Sequence, residues 1–212
     1  MKKQFITIAG NIGIGKSTLV TLLAKRTAWE PVFEAFDENP YLADFYGDMK
    51  RWSFNSQIFF LSRRIKQHFE LLQHQNSIIQ DRSVYEDAEI FAQNLYQQGL
   101  MSERDWDCYF DLYKTTTSIL TPPDLVIYLK GSVRTLTHRI QQRGRDYELD
   151  IEQSYLNQLN TLYDQWAENF SLSPVLTVET DNLDYVLHES HLDQIWDKIQ
   201  LRLSGRDYLK LT

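Results

Sequence analysis

The chain has 212 residues, a formal net charge of −7, 42% hydrophobic and 13% aromatic residues, and a single cysteine, Cys108. That length suits one α/β domain, residues 1–212, and the acidic balance argues against a nucleic-acid-binding surface, which needs a basic stripe. One cysteine allows no intramolecular disulfide, and no apolar run approaches the roughly 20 residues of a membrane span, so a cytoplasmic protein touching neither membrane nor nucleic acid is expected.

Five short apolar runs read as buried parallel strands with helical patterns between them. The first, Phe5–Ala9, follows Met1-Lys2-Lys3 with no secretion-signal pattern and leads into Gly10-Asn11-Ile12-Gly13-Ile14-Gly15-Lys16-Ser17-Thr18. This is G-x-x-x-x-G-K-[ST] between a strand and a helix-compatible stretch, Ser17–Arg26. Glycines let the backbone wrap a phosphate with its N–H groups inward, and the helix start adds its positive dipole end. Lys16 is spaced to reach the β- and γ-phosphates, and the Ser17 hydroxyl to join a Mg²⁺ shell. The motif implies a bound nucleoside triphosphate and leaves open what happens to its γ-phosphate.

The second run, Pro31–Phe36, contains Glu34, where an unpaired charge is costly. Asp37 and Glu38 follow as loop charges, and Pro40 keeps Asn39 extended. A carboxylate at this strand end is placed to take the proton of a hydroxyl attacking the γ-phosphate. Asp44-Phe45-Tyr46-Gly47 matches the D-x-x-G of GTPase switches, but no apolar strand precedes it and the chain has no N-K-x-D. A helix over Ser53–His74 carries Phe54, Ile58, Leu61, Ile65 and Phe69 at spacings of three and four, the expected core stripe. The segment Pro31–Ser83 is long for a simple crossover and is expected to build part of a substrate pocket.

The third strand, Ser77–Gln80, ends in Asp81-Arg82-Ser83, an acidic residue placed for a metal beside an arginine placed for phosphate. Helices over Tyr85–Gln98 and Ser102–Leu120 precede the fourth strand, Leu125–Leu129; Cys108 falls in the second of these and reads as a small core filler. After a helix over Val133–Gln142 come Arg139, Arg143 and Arg145. Arg139 and Arg143 share a helix face, and Gly144 is suited to end the helix, an arrangement that fits a closing lid. A helix over Ile151–Asn169, a fifth strand at Val175–Val178 and a helix over Leu187–Leu203 complete the pattern. His188 and His191 in the last helix have no further metal-ligating partner nearby and read as exposed polar residues.

Taken together, Gly10–Thr18, Glu34 with Glu38-Asn39-Pro40-Tyr41, Asp81-Arg82-Ser83 and Arg139–Arg145 resemble the deoxynucleoside kinases, bacterial members above all, as far as about Tyr163. The resemblance implies a P-loop fold of three layers: a five-stranded parallel sheet, helices on both faces and a short arginine-rich lid. It also implies ATP-dependent, Mg²⁺-assisted phosphorylation of a deoxynucleoside 5′-hydroxyl in nucleotide salvage, by a homodimer. By position, Glu34 matches the general base, although Glu30-Pro31-Val32 resembles the segment that would make Glu30 the base. Asp81 matches the metal-linked carboxylate, Arg82 the arginine on the 5′-oxygen and phosphate, and Arg139, Arg143 and Arg145 the lid arginines. Tyr46 and Glu148 match the pair on the sugar 3′-hydroxyl; Gln57, Arg64 and Asp87 match readers of the base edge, and Phe91 a ring stacked on it. Gln57 and Arg64 are seven apart and share a helix face, and Asp87 is suited to hold the guanidinium as a rigid fork. The resemblance ties that fork to purine deoxynucleosides, with deoxycytidine also admitted. The rivals are a nucleoside monophosphate kinase, which needs more basic residues around an acceptor phosphate, and a non-catalytic nucleotide-binding subunit of the same fold.

Overall fold

The computed structural model describes residues 3–33, 38–145, 148 and 151–201, and the backbone of 206–209. The chain divides into two compact units, Met1–Phe33 with Gln75–Arg82 and Pro122–Thr212, and Glu34–His74 with Ser83–Thr121.

The first unit is built on a parallel sheet. Its strands are β1 (Phe5–Gly10), β2 (Glu30–Val32), β3 (Ile78–Asp81), β4 (Leu125–Lys130), β5 (Val175–Glu179) and β6 (Arg206–Leu209), in the spatial order β2-β3-β1-β4-β5-β6. The five expected strands are present, and β6 extends the sheet beyond β5. The second strand is shorter than its apolar run, and residues 34–37, which include Glu34, lie outside the described residues. Every residue of β1 is buried, as befits a central strand covered on both faces. Helices α1 (Lys16–Thr27), α7 (Val133–Arg143), α8 (Gln153–Asn169) and α9 (Glu189–Gln200) belong to this unit. Leu19, Val20 and Leu23 of α1 and Leu192, Ile195 and Ile199 of α9 join Ile6, Ile8 and Ile127 in one core. The chain passes from β1 outward to β2 and returns through β3, next to β1, before crossing to β4. In open sheets of this kind ligands bind at the carboxyl ends of the strands where the winding reverses, here β1 and β3.

The second unit is helical. It holds α2 (Leu42–Gly47), α3 (Met49–Gln73), α4 (Val84–Glu86), a π-helical segment (Asp87–Ala92), α5 (Gln93–Gln97) and α6 (Glu103–Thr117). The D-x-x-G match of the sequence therefore lies on α2 rather than in a switch loop. Ser83 and Glu86 form a capping box that starts α4 directly after Asp81-Arg82.

Two expectations are corrected here. The stripe proposed for the core of α3 is not its buried face. Leu61 is fully buried, but Phe54, Ile58 and Ile65 are only half-buried and Phe69 is 43% exposed. The inward positions are instead Ser53, Ser56, Gln57, Leu61, Arg64, His68 and Leu71, a largely polar face. Cys108 is exposed rather than a core filler, because α6 turns Tyr109 and Tyr113 inward instead.

Candidate active site

The glycine loop takes the form that its sequence requires. Gly15 has φ +105° and caps α1; a Cβ there would also stand 2.5 Å from the Tyr185 hydroxyl, so only glycine fits. Asn11 is buried and pins the loop from beneath, donating from Nδ2 to Leu156 O (3.0 Å) and Asn160 Oδ1 (2.8 Å) while its Oδ1 accepts from the Ile12 N–H (2.7 Å). Ile14 is fully buried in the core, and Ile12 packs on it from the edge. The Lys16 ammonium curls back across the loop to Gly10 O (2.9 Å) and Asn11 O (3.0 Å).

Ser17, at the start of α1, donates from Oγ to Asp81 Oδ2 at 2.5 Å. Asp81 closes β3 opposite Ile8 of β1 and is 3% exposed, so the two oxygen-bearing side chains flagged for a metal meet at the sheet's carboxyl end. Arg82 follows with φ +64°, a left-handed conformation that is costly for a side chain of this size, and its N–H donates to Ile8 O (3.0 Å). A strained residue held between a metal-type carboxylate and a helix start is where functional sites concentrate.

The three arginines of the lid segment differ from one another. Arg139 donates from Nη1 to Ile14 O (2.7 Å) and from Nη2 to Thr180 O (3.2 Å) and Leu183 O (3.3 Å), so its fork grips backbone carbonyls. Arg143 ends α7 before Gly144, which adopts the expected left-handed cap (φ +67°). Arg143 Nη2 pairs with Glu148 Oε2, and Arg145 Nη1 lies 3.3 Å from Glu148 Oε1. Glu148 is only 2% exposed, so burial and two guanidinium groups hold its carboxylate in place. A cavity of about 680 Å³ collects Gly13, Gly15, Lys16, Ser17, Thr18 and all three arginines with residues 183–187. Sequence reasoning missed Asp184 and Tyr185 on this wall; no motif marks them, and contact with the glycine loop arises only through the fold.

In the second unit, the base-reading residues of the resemblance also come together. Arg64 donates from Nε to Asp87 Oδ2 at 3.0 Å, both side chains being 4% exposed. Nη1 of Arg64 donates to Gln67 Oε1 (3.2 Å), a second holder of the fork that sequence reasoning did not single out. Gln57 is buried on the same helix face, and its Oε1 meets no hydrogen-bond donor among the described residues. Asp87 and Phe91 both lie on the π-helical segment and are buried; a π turn inside a helix commonly marks a working site. Behind them Tyr113 donates its hydroxyl to Glu89 Oε1 (2.5 Å), and burial with the neighbouring Glu89 charge pushes the Tyr113 phenol far above its ordinary range. Tyr46 is half-buried at the end of α2, edge-on to Phe45. Asn39 is buried and anchors its loop to α3, donating from Nδ2 to Ser56 Oγ (3.0 Å). Glu38 pairs on the surface with Arg63 (3.2 Å). His188 is exposed as expected, and the half-buried His191 accepts from the Asp184 N–H at Nδ1 (3.1 Å).

Comparison with known proteins gives this geometry a context. Residues 6–203 match the family described as deoxynucleoside kinase. A deoxyadenosine/deoxycytidine kinase of Bacillus subtilis is 40% identical over 93% of this chain and 92% of its own length. A deoxyguanosine kinase of the same organism is 37% identical over 90% of this chain and 93% of its own. Among solved structures, a deoxyadenosine kinase from M. mycoides with dCMP and a flexible dCDP bound superposes with a TM-score of 0.83 at 33% identity, covering 93% of this chain and 99% of that one. With a family match over both units and relatives of this identity along nearly their whole length, the chain belongs to the deoxynucleoside kinase family and is a phosphotransferase of deoxynucleosides.

Proposed function

We propose that this chain transfers the γ-phosphoryl of ATP to the 5′-hydroxyl of a purine deoxynucleoside, deoxyadenosine or deoxyguanosine, and accepts deoxycytidine as well. The observation that carries the acceptor reading is the buried Arg64–Asp87 pair. A carboxylate-fixed guanidinium offers a directed fork for the acceptors on a base edge, and it is already desolvated. Gln57 adds an amide with unspent bonding capacity on the same helix face, and Phe91 a ring for stacking. The relatives accord with this range, since their names cover deoxyadenosine, deoxycytidine and deoxyguanosine.

In this reading the glycine loop from Gly10 to Thr18 holds the triphosphate, its N–H groups and Lys16 meeting the β- and γ-phosphates. Glu34 takes the 5′-hydroxyl proton as that oxygen attacks the γ-phosphorus; the bond to the β–γ bridging oxygen breaks and ADP leaves. Arg82 neutralises charge on the acceptor oxygen and the transferring group. Arg143 and Arg145 exchange Glu148 for phosphate oxygens, which frees Glu148 to accept from the sugar 3′-hydroxyl alongside Tyr46. Arg139 completes the cationic wall. The Ser17 hydroxyl and the Asp81 carboxylate, two hard oxygen donors in contact, form a donor set suited to Mg²⁺. An ion held there would supply positive charge against the phosphate oxygens.

The family match across 6–203 supports a single kinase domain. A homodimer belongs to the same reading. A cytoplasmic role in nucleotide salvage fits the substrate class and the lone cysteine; no described helix is long and apolar enough to cross a membrane.

The test is a steady-state assay with Mg·ATP against the four deoxynucleosides and their monophosphates. Turnover of deoxyadenosine or deoxyguanosine ahead of thymidine is expected. Phosphorylation of a monophosphate alone would refute the acceptor assignment, and ATP hydrolysis indifferent to added deoxynucleoside would refute transfer.

A further inference from the structure

The carbonyls of Ile14 and Gly15, the last two residues of the glycine loop before Lys16, are each held by a side chain from far along the chain. Ile14 O accepts from Arg139 Nη1 at 2.7 Å. Gly15 O accepts from the Leu19 N–H at 3.0 Å, as the start of α1 requires, and also from the Tyr185 hydroxyl at 3.1 Å. Arg139 binds Thr180 O and Leu183 O with its other nitrogen, so the same guanidinium ties the glycine loop to the segment that carries Tyr185. Tyr185 is 6% exposed and packs in the sheet core, which fixes the ring and leaves its hydroxyl one direction to point.

A trans peptide carries its C=O and N–H on opposite sides, so an anchored carbonyl aims the next residue's N–H the other way. Holding Ile14 O orients the Gly15 N–H, and holding Gly15 O orients the Lys16 N–H. We infer that Tyr185, braced through Arg139, is a positioning residue that presets the Gly15 and Lys16 amides of the glycine loop toward the donor phosphates. The inference rests on the reading that this loop holds the donor triphosphate. Preset amides spare the nucleotide the cost of ordering them, so the hydroxyl contributes to donor affinity without touching the donor. The Tyr185 phenol is a donor at neutral pH, and burial, which pushes it up to about 12, keeps it one well into the alkaline range. The absence of a Cβ at Gly15 is part of the same device, since that atom would occupy the place of the hydroxyl.

The experiment compares the full chain with Tyr185→Phe, which keeps the ring and removes only the hydroxyl, and with Tyr185→Leu, which also lacks it. Binding of Mg·ADP is measured by calorimetry, and KM for ATP and for the deoxynucleoside by steady-state assay. Loss of one such hydrogen bond predicts roughly 3- to 10-fold weaker ADP binding and a matching rise in the ATP KM. The deoxynucleoside KM and kcat should stay within twofold. Unchanged ADP affinity with a lowered melting temperature would overturn the inference by making Tyr185 a packing residue only. An equal rise in both KM values, or variants too unstable to fold, would overturn it likewise. Failure of the unaltered chain to bind Mg·ADP would instead refute the donor-site reading on which it rests.

Discussion

Arg64 and Asp87 are buried together, so removing either one takes the countercharge from the other in a poorly solvated place. Breaking such a pair costs about 3–5 kcal/mol, whereas replacing both members by apolar groups is often neutral. Arg64→Ala and Asp87→Ala are therefore expected each to lower the melting temperature and flatten discrimination among deoxynucleosides. The double variant Arg64→Met/Asp87→Leu should regain much of the stability and none of the discrimination. Calorimetry paired with assays on the four deoxynucleosides separates the two effects; a double variant that still prefers purines would remove the pair from base reading. At Glu34, the proposed base, Glu34→Gln should lower kcat by roughly 10²–10⁴-fold with less effect on substrate binding. Near-normal turnover would move the role to Glu30, which lies half-buried at the start of β2. Gly15→Ala meets both a strained φ and the Tyr185 hydroxyl, so loss of nucleotide-dependent stabilisation is the expected result in a thermal melt with Mg·ADP.

Among the elements, those whose signals are local were the easiest to read. The glycine loop, the strand ending in Asp81 and the cap at Gly144 each follow from residues adjacent in sequence, and each lies where its pattern indicated. Helix α3 was legible as a helix but not in its orientation. Periodicity assigns the apolar stripe to the core, yet the inward face carries Gln57, Arg64 and His68, and the buried polar groups of Arg64 and His68 are met there by Asp87 and Thr121 O. Tyr185 lies 170 residues from the carbonyl it holds, and no spacing rule reaches that far. The orientation of α3 also predicts a response to acid. Burial lowers the His68 pKa below 6.5, outweighing the hydrogen bond between Nε2 and Thr121 O (2.9 Å), which raises it. The unfolded chain then takes up a proton at higher pH than the folded one, so this contribution is complete above pH 6.5 and declines as the pH falls through the folded value. His68→Gln should flatten the stability profile on that side in urea titrations from pH 7.5 to 5; an unaltered slope would exclude His68 as its source.

For the whole molecule the alkaline edge is set by buried phenols in both units. Tyr85 and Tyr185 are pushed up to about 12 by burial, and burial also raises Tyr109 and Tyr113 well above the ordinary phenol value. The folded chain keeps protons that the unfolded chain sheds near pH 10, so their contribution is intact below pH 10 and is lost as the pH rises toward 12. Denaturation midpoints should hold steady to pH 9.5 and fall steeply above it, with phenolate absorbance appearing together with unfolding; phenolate appearing in a still-folded chain would show these rings to be accessible. The polar inner face of α3 has a further consequence for anyone engineering this chain. Substituting leucine at Gln57 or Arg64 and Asp87 together is the kind of change that a stability screen selects, since it removes buried polar groups that burial disfavours. On the proposed reading, selection for heat resistance alone would then let through proteins that no longer distinguish their nucleosides. On that reading robustness and discernment compete for one buried polar cluster, and a useful screen scores both at once.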